Sequence, residues 1–126
     1  MRFARLVFTL AGVWGIVVLT PLYFLVDIGG HHYVAPASYP HFFYGFIAVA
    51  MAWQIAFLII GRDPIRFRPL MIPSIVEKLG YIGTVAVLHG SGRISSADAA
   101  TAVPDTVLAI LFVAALVKTS SFANRR

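Results

Sequence analysis

The sequence predicts an all-α membrane protein: an antiparallel up-down-up-down bundle of four transmembrane helices forming one domain over residues 1–126. Three observations predict it. Apolar residues fill 60% of the 126 positions and charged residues 12%, too little charge to cover a water-facing surface. The apolar residues gather in four runs, each near the roughly 20 helical residues that cross a hydrocarbon core. The basic residues fall almost entirely beside alternate ends of those runs.

The first run covers about 6–26. Arg2 and Arg5 precede it as in a signal peptide, but its apolar core is too long for one, so it is read as a retained helix. Pro21 is expected to kink its far end, with Thr20 or a water satisfying the carbonyl that the proline leaves unbonded. Ala11 and Gly15 form a small-xxx-small pair beside Gly12. Lipid tails are as apolar as leucine, so helices in a bilayer associate through close packing, and small residues mark the seams.

The second run, 42–60, follows Gly29, Gly30, Pro36 and Pro40, residues that break helices. Gly45, Ala48, Ala52 and Ala56 share one face and predict a packing seam. The third, 70–88, follows a link holding Asp63-Pro64 and Pro69. Its polar residues Ser74, Glu77, Lys78, Tyr81, Thr84 and His89 lie within about 140° of arc at 100° per residue. Ile75, Leu79, Ile82 and Ala86 form a lipid face, and Gly80, Gly83 and Val87 a close-packing face. A helix with three such faces is expected at the centre of the bundle. The fourth run, 99–117, follows Gly90-Ser91-Gly92. Pro104-Asp105 reads as a first helical turn, with proline where no backbone donor is needed, and that places Asp105 near the outer surface.

Orientation follows from Lys and Arg near the ends of the spans. Arg2, Arg5, Arg62, Arg66, Arg68, Lys118, Arg125 and Arg126 fall on one side, against Arg93 on the other and Lys78 within a span. The N-terminus, the second link and the C-terminus are therefore expected in the cytoplasm. Aromatic residues gather at both interfaces: Tyr23, Phe24, Tyr33, Tyr39, Phe42, Phe43 and Tyr44 outside, and Phe3, Phe67 and Phe122 inside. Arg62, Arg66 and Arg68 are candidates for anionic lipid headgroups.

Two sets of residues stand out as candidate sites. Glu77 and Lys78 sit inside a span, where an ionised group costs several kcal/mol unless paired or wetted, and Gln54 lies at similar depth. A polar layer of Gln54, Glu77 and Lys78, with Tyr81 beside it, is a candidate ligand or proton site. If the helix instead begins at Pro73 or Ser74, then Ser74 and Glu77 form a capping box at the interface. The second set is His31, His32, His41 and His89, expected outside near Asp27, Asp98 and Asp105. These are candidate metal ligands, though their spacing matches no metal motif.

The chain has no cysteine, which excludes disulfides, thiolate metal sites and cysteine nucleophiles. It lacks a phosphate loop, a nucleophile elbow and a zinc-binding His-Glu-x-x-His helix. The net charge of +5 is explained by topology rather than by a nucleic-acid surface.

The stretch Tyr39-Pro40-His41-Phe42-Phe43-Tyr44-Gly45-Phe46, with Trp53-Gln54, Gly61-Arg62-Asp63-Pro64 and the run from Pro73 to Tyr81, resembles uncharacterised small bacterial inner-membrane proteins. In size and span count the chain is similar to the DoxX-like group of four-helix membrane proteins. That resemblance covers architecture and implies association with respiratory or redox membrane complexes; it carries no site residue. Small multidrug-resistance transporters are also four-helix chains, but they place an essential carboxylate in the first helix, which here has no acidic residue before Asp27. The reading that follows is a non-enzymatic accessory or assembly subunit, with the bilayer and a membrane-protein partner or second copy as its company. The alternative is a proton-coupled small-molecule carrier or a quinone- or haem-binding redox component using the polar layer. No cofactor is required by the first reading; haem, quinone or a metal ion enters only with the second.

Overall fold

The computed structural model describes the backbone of residues 2–28 and 40–125, and the side chains of 2–22 and 41–125. Among the described residues the chain is helical, without strands. The elements are α1 (Arg2–Ile28), α2 (Pro40–Arg62), α3 (Met71–Gly90), a single turn α4 (Ser96–Ala99) and α5 (Val103–Ala123), with 3-10 turns at Arg68–Leu70 and Ala100–Ala102. Four helical stretches, Arg2–Leu22, His41–Arg62, Arg68–Gly90 and Ser96–Ala123, are long and apolar enough to cross a membrane. Their outward faces carry Leu6, Val17, Phe42, Val49, Val76, Val87, Ile110 and Val117 well exposed. Such faces suit acyl chains and not water.

The helix ends differ from expectation in two places. Met71 opens α3 and Leu70 is its N-cap, so Ser74 is already inside the helix. Its hydroxyl donates to the Leu70 carbonyl at 2.6 Å instead of accepting from a backbone N–H, and the Ser74/Glu77 capping box does not form. The last long helix begins at the turn that Pro104 predicts but runs past the expected end at 117. Ser95 caps α4 by accepting from Asp98 N, and Pro104 stands in the first turn of α5, as its missing N–H favours. The helix then runs on through Lys118 to Ala123. Helix α1 continues through Pro21. The Thr20 hydroxyl donates to the Ile16 carbonyl at 2.7 Å, not to the Val17 carbonyl that the proline deprives of its usual donor.

α1 packs closely on α2, α5 packs on α1, and α3 packs on α5, whereas α2 and α3 scarcely touch. The packing order is therefore α2–α1–α5–α3, with α2 and α3 at its two ends, and the expectation that α3 is central is corrected. Its Gly80 and Gly83 have open space at the position of a β-carbon, and Val87 is exposed, so its predicted close-packing face is unfilled. The α2 stripe Gly45, Ala48 and Ala52 is likewise exposed, with only Ala56 partly covered. The seam of α2 lies on another face, through Ile47, Ala50, Gln54, Phe57 and Ile60. Facing it on α1, a β-carbon on Gly12 would stand 2.7 Å from Leu58 and 2.8 Å from the Gln54 carbonyl oxygen, and one on Gly15 would strike the Gln54 side chain. On α2 itself, Gly61 lies against Thr9 and Arg5.

The core is aromatic. Phe8 of α1 stacks on Phe112 of α5 with centroids 4.3 Å apart, and Phe57 of α2 meets Phe112 edge-on at 5.0 Å. Met71 and Ala115 complete it. The same end of the molecule gathers the start of α1, the 62–70 link and the last turns of α5. Arg5 and Thr9 adjoin Gly61, the Lys118 ammonium stands 4.1 Å over the Phe3 ring, and Arg68 reaches Thr119. The predicted basic flanks thus share one end.

Candidate functional site

The antiparallel pairing of α3 with α5 sets the chemistry. Gly92, with φ of 74°, adopts the left-handed backbone that glycine accepts without strain, and the chain reverses there. Lys78 and Asp105 are nearly equidistant from it in sequence, so the reversal brings them opposite each other. Lys78 Nζ donates to Asp105 Oδ1 at 3.0 Å. Its side chain is only 5% exposed, and the ammonium also lies 5.3 Å from the Phe57 ring centre. Asp105 is the partner of Lys78, a pairing not foreseen from the sequence; the α4 segment and its 3-10 turn precede it in the same apolar stretch.

Glu77 stands 3.5 Å from the same ammonium through Oε2. Adjacent helical residues point about 100° apart, so the two approach without aligning, and Glu77 Oε2 is buried with no hydrogen-bond partner. Both lie about 13–15 Å along the Arg68–Gly90 stretch by helical rise, close to its middle. One ammonium therefore faces two carboxylates, among the described residues, near the middle of the span.

Glu77 also lines a groove of about 530 Å3 between α2 and α3. Phe46, Val49, Ala50 and Trp53 form the α2 wall; Val76, Glu77, Gly80, Tyr81 and Thr84 form the α3 wall. The groove opens to the outer face of the bundle, where Phe46, Val49 and Val76 are more than half exposed. Its volume is that of a small-molecule site, and such sites are mostly apolar with a few placed polar groups. Phe46 and Tyr81 face each other near parallel, 20° between planes and centroids 6.5 Å apart. Thr101 gives its hydroxyl proton to the Asp98 carbonyl at 2.6 Å, so the Tyr81 hydroxyl is the donor in its 2.9 Å contact with Thr101.

The structure unites Glu77, Lys78 and Tyr81, but Gln54 lies elsewhere. Its Nε2 donates to the Ala50 carbonyl at 2.9 Å, and its side chain covers Gly15 of α1. The second span reaches that depth with a different face turned to α3, and Trp53 takes the place in the groove that depth alone suggested for Gln54.

Among the described residues no three His, Asp or Glu side chains come close enough to hold a metal ion. His41 lies beside Phe42 with ring centres 4.3 Å apart, and His89 Nδ1 is 3.4 Å from the Ile94 carbonyl. His31, His32 and the Asp27 side chain lie outside the described residues. Of the basic link, Arg68 is a structural residue. Its Nε donates to Thr119 Oγ1 at 3.1 Å and its Nη2 to the Leu116 carbonyl at 2.9 Å. Arg62 and Arg66 are exposed, with the Arg66 guanidinium 5.4 Å from the Phe67 ring centre. Comparison with protein-family models, curated proteins and solved structures returned no match.

Proposed function

We propose that this chain is a multi-pass protein of the bacterial inner membrane that holds a lipophilic small molecule in the α2–α3 groove, as a carrier or binding component. Its four helices are threaded up and down, with the basic end in the cytoplasm as the positive-inside rule directs. The observation that carries the reading is the groove itself. It has an apolar, aromatic wall open to acyl chains and a single carboxylate, Glu77, near the mid-depth of the span. In a bundle that served only to pack, α2 and α3 would close that gap and the carboxylate would not share its one ammonium with a second carboxylate.

A second reading, an accessory or assembly subunit docked on another membrane protein, is favoured by the exposed Gly45, Ala48 and Ala52 stripe, which allows close approach of a further helix.

The chain has two tryptophans, and a Trp14→Phe variant leaves Trp53 as a reporter inside the groove. In lipid nanodiscs, titration with 1,4-naphthoquinone and with tetraphenylphosphonium should give saturable quenching of Trp53 by at least one of them. Gly80→Leu, which fills the groove from a position with free space, should abolish it. Quenching that never saturates, or that survives Gly80→Leu, would remove the ligand reading and leave the subunit reading.

A further inference from the structure

Resting on the groove reading, we infer that the occupant is a lipophilic organic monocation, and that it exchanges with a proton on Glu77. Among the described residues nine line the groove, and the one charged residue of these is Glu77. Lys78 is turned away towards Asp105, 3.0 Å from it, and makes only a longer 3.5 Å approach to Glu77. Among the described residues the groups facing Glu77 are Lys78 and Tyr81 on α3 and Asp105 across on α5; α2 offers Phe46, Val49, Ala50 and Trp53, none of which titrates. The set of one ammonium and two carboxylates is thus one positive charge short of neutrality. At this depth an uncompensated charge is costly, so the second carboxylate is balanced either by a proton or by a cation brought from outside.

The donor set selects the kind of cation. Hard metal ions take six or more oxygen ligands, or a few with retained water; here one carboxylate stands in an apolar wall. An organic cation fits instead, its charge against Glu77 and its body against Trp53, Tyr81 and Phe46, whose ring faces attract cations. A carboxylate in a low-dielectric wall binds such an ion more strongly than one in water does. The exchange balances without any covalent step on the ligand: the Glu77 O–H bond breaks, the proton passes to water, and the cation takes its place as counter-ion.

The test is equilibrium binding of radiolabelled tetraphenylphosphonium to the protein in nanodiscs, with the equally shaped anion tetraphenylborate and neutral 1,4-naphthoquinone as comparators. Tetraphenylphosphonium should saturate at one per chain, tetraphenylborate should not bind, and in weak buffer at acid pH binding should release protons. Over that acid range the apparent affinity should fall about tenfold per pH unit, as for two species competing for one carboxylate. Glu77→Gln should weaken cation binding at least about tenfold and spare naphthoquinone. Asp105→Asn supplies an independent check, since Asp105 does not line the groove: it frees Lys78 for Glu77, restores neutrality, and should weaken cation binding and flatten its pH dependence. Naphthoquinone binding without cation preference would overturn the inference and leave the groove reading standing. Failure of every probe to bind would overturn both.

Discussion

Along one side α2 meets α1 so closely that Gly12, Gly15 and Gly61 have no room for a β-carbon. Along another it stands off from α3 and leaves a groove lined by exposed apolar side chains and one carboxylate. Both sides are built from small and apolar residues, yet one is a seam and the other a gap. The difference lies in what fixes the neighbour. α1 and α2 fit backbone to backbone, a geometry that lipid cannot substitute. α3 is positioned from behind, by its polar contacts to α5, and so does not need α2 to hold it. A helix anchored on one flank leaves its other flank free to bind something else.

The sharpest way to break this comparison is to cut the anchor. Lys78→Met removes the ammonium and leaves Asp105 and Glu77 close together without a cation. Breaking a buried pair by removing one member costs about 3–5 kcal/mol, and the effect here should fall on α3. Detergent-titrated unfolding should show that loss, together with loss of ligand quenching at Trp53. The double variant Lys78→Met with Asp105→Leu should recover most of the stability, because an apolar pair of similar volume replaces a buried ion pair at little cost. If the double variant is as unstable as the single one, the ion pair is not what positions α3.

A smaller effect separates the two sides of α2 directly. In Gly12→Ala the new β-carbon stands 2.8 Å from the carbonyl oxygen of Gln54, a backbone atom of the facing helix that cannot swing aside. Overpacking of this kind costs about 1–3 kcal/mol. Gly80→Ala meets nothing within 4 Å and should be neutral or stabilise by up to about 1 kcal/mol through helix propensity. Equal losses from the two alanines in the same unfolding assay would mean that the groove is closed in the membrane.

The four long helices, the first-turn position of Pro104, the Ala11–Gly15 seam and the shared basic end were all legible in the sequence, because each is a property of one helix or of its flanks. Adjacency was not. The spacing of Gly45, Ala48 and Ala52 is the same whether that face meets a helix or a lipid tail, and Gly61, which does meet a helix, reads as a mere link residue beside Asp63-Pro64. The polar arc of α3 was legible too, but its partner was not. Asp105 belongs to another helix, and only folding the chain at Gly92 brings it to Lys78. Counting outward from that glycine was the signal available. Gln54 shows the opposite error: equal depth suggested a shared layer, while the rotation of α2 about its axis turns Gln54 to α1 and Trp53 to the groove.

The smallest of these effects concerns the basic end of the anchor. Arg68 sits where lipid headgroups are expected, yet its guanidinium is used by the protein, with Nε on Thr119 and Nη2 on the Leu116 carbonyl. Thr119 is fully buried and also donates to the Ala115 carbonyl at 2.8 Å, so the arginine closes a small network between the link and α5. Interhelical hydrogen bonds in membranes contribute about 0.6 kcal/mol each on average, and Arg68→Ala should therefore cost roughly 1 kcal/mol. Arg66→Ala, with its guanidinium exposed, should leave stability unchanged. Vesicle composition should not matter to this difference: the loss from Arg68→Ala should be the same in neutral and anionic lipid. If that loss appears only in anionic vesicles, Arg68 is a headgroup ligand and α3 is held at Lys78 alone.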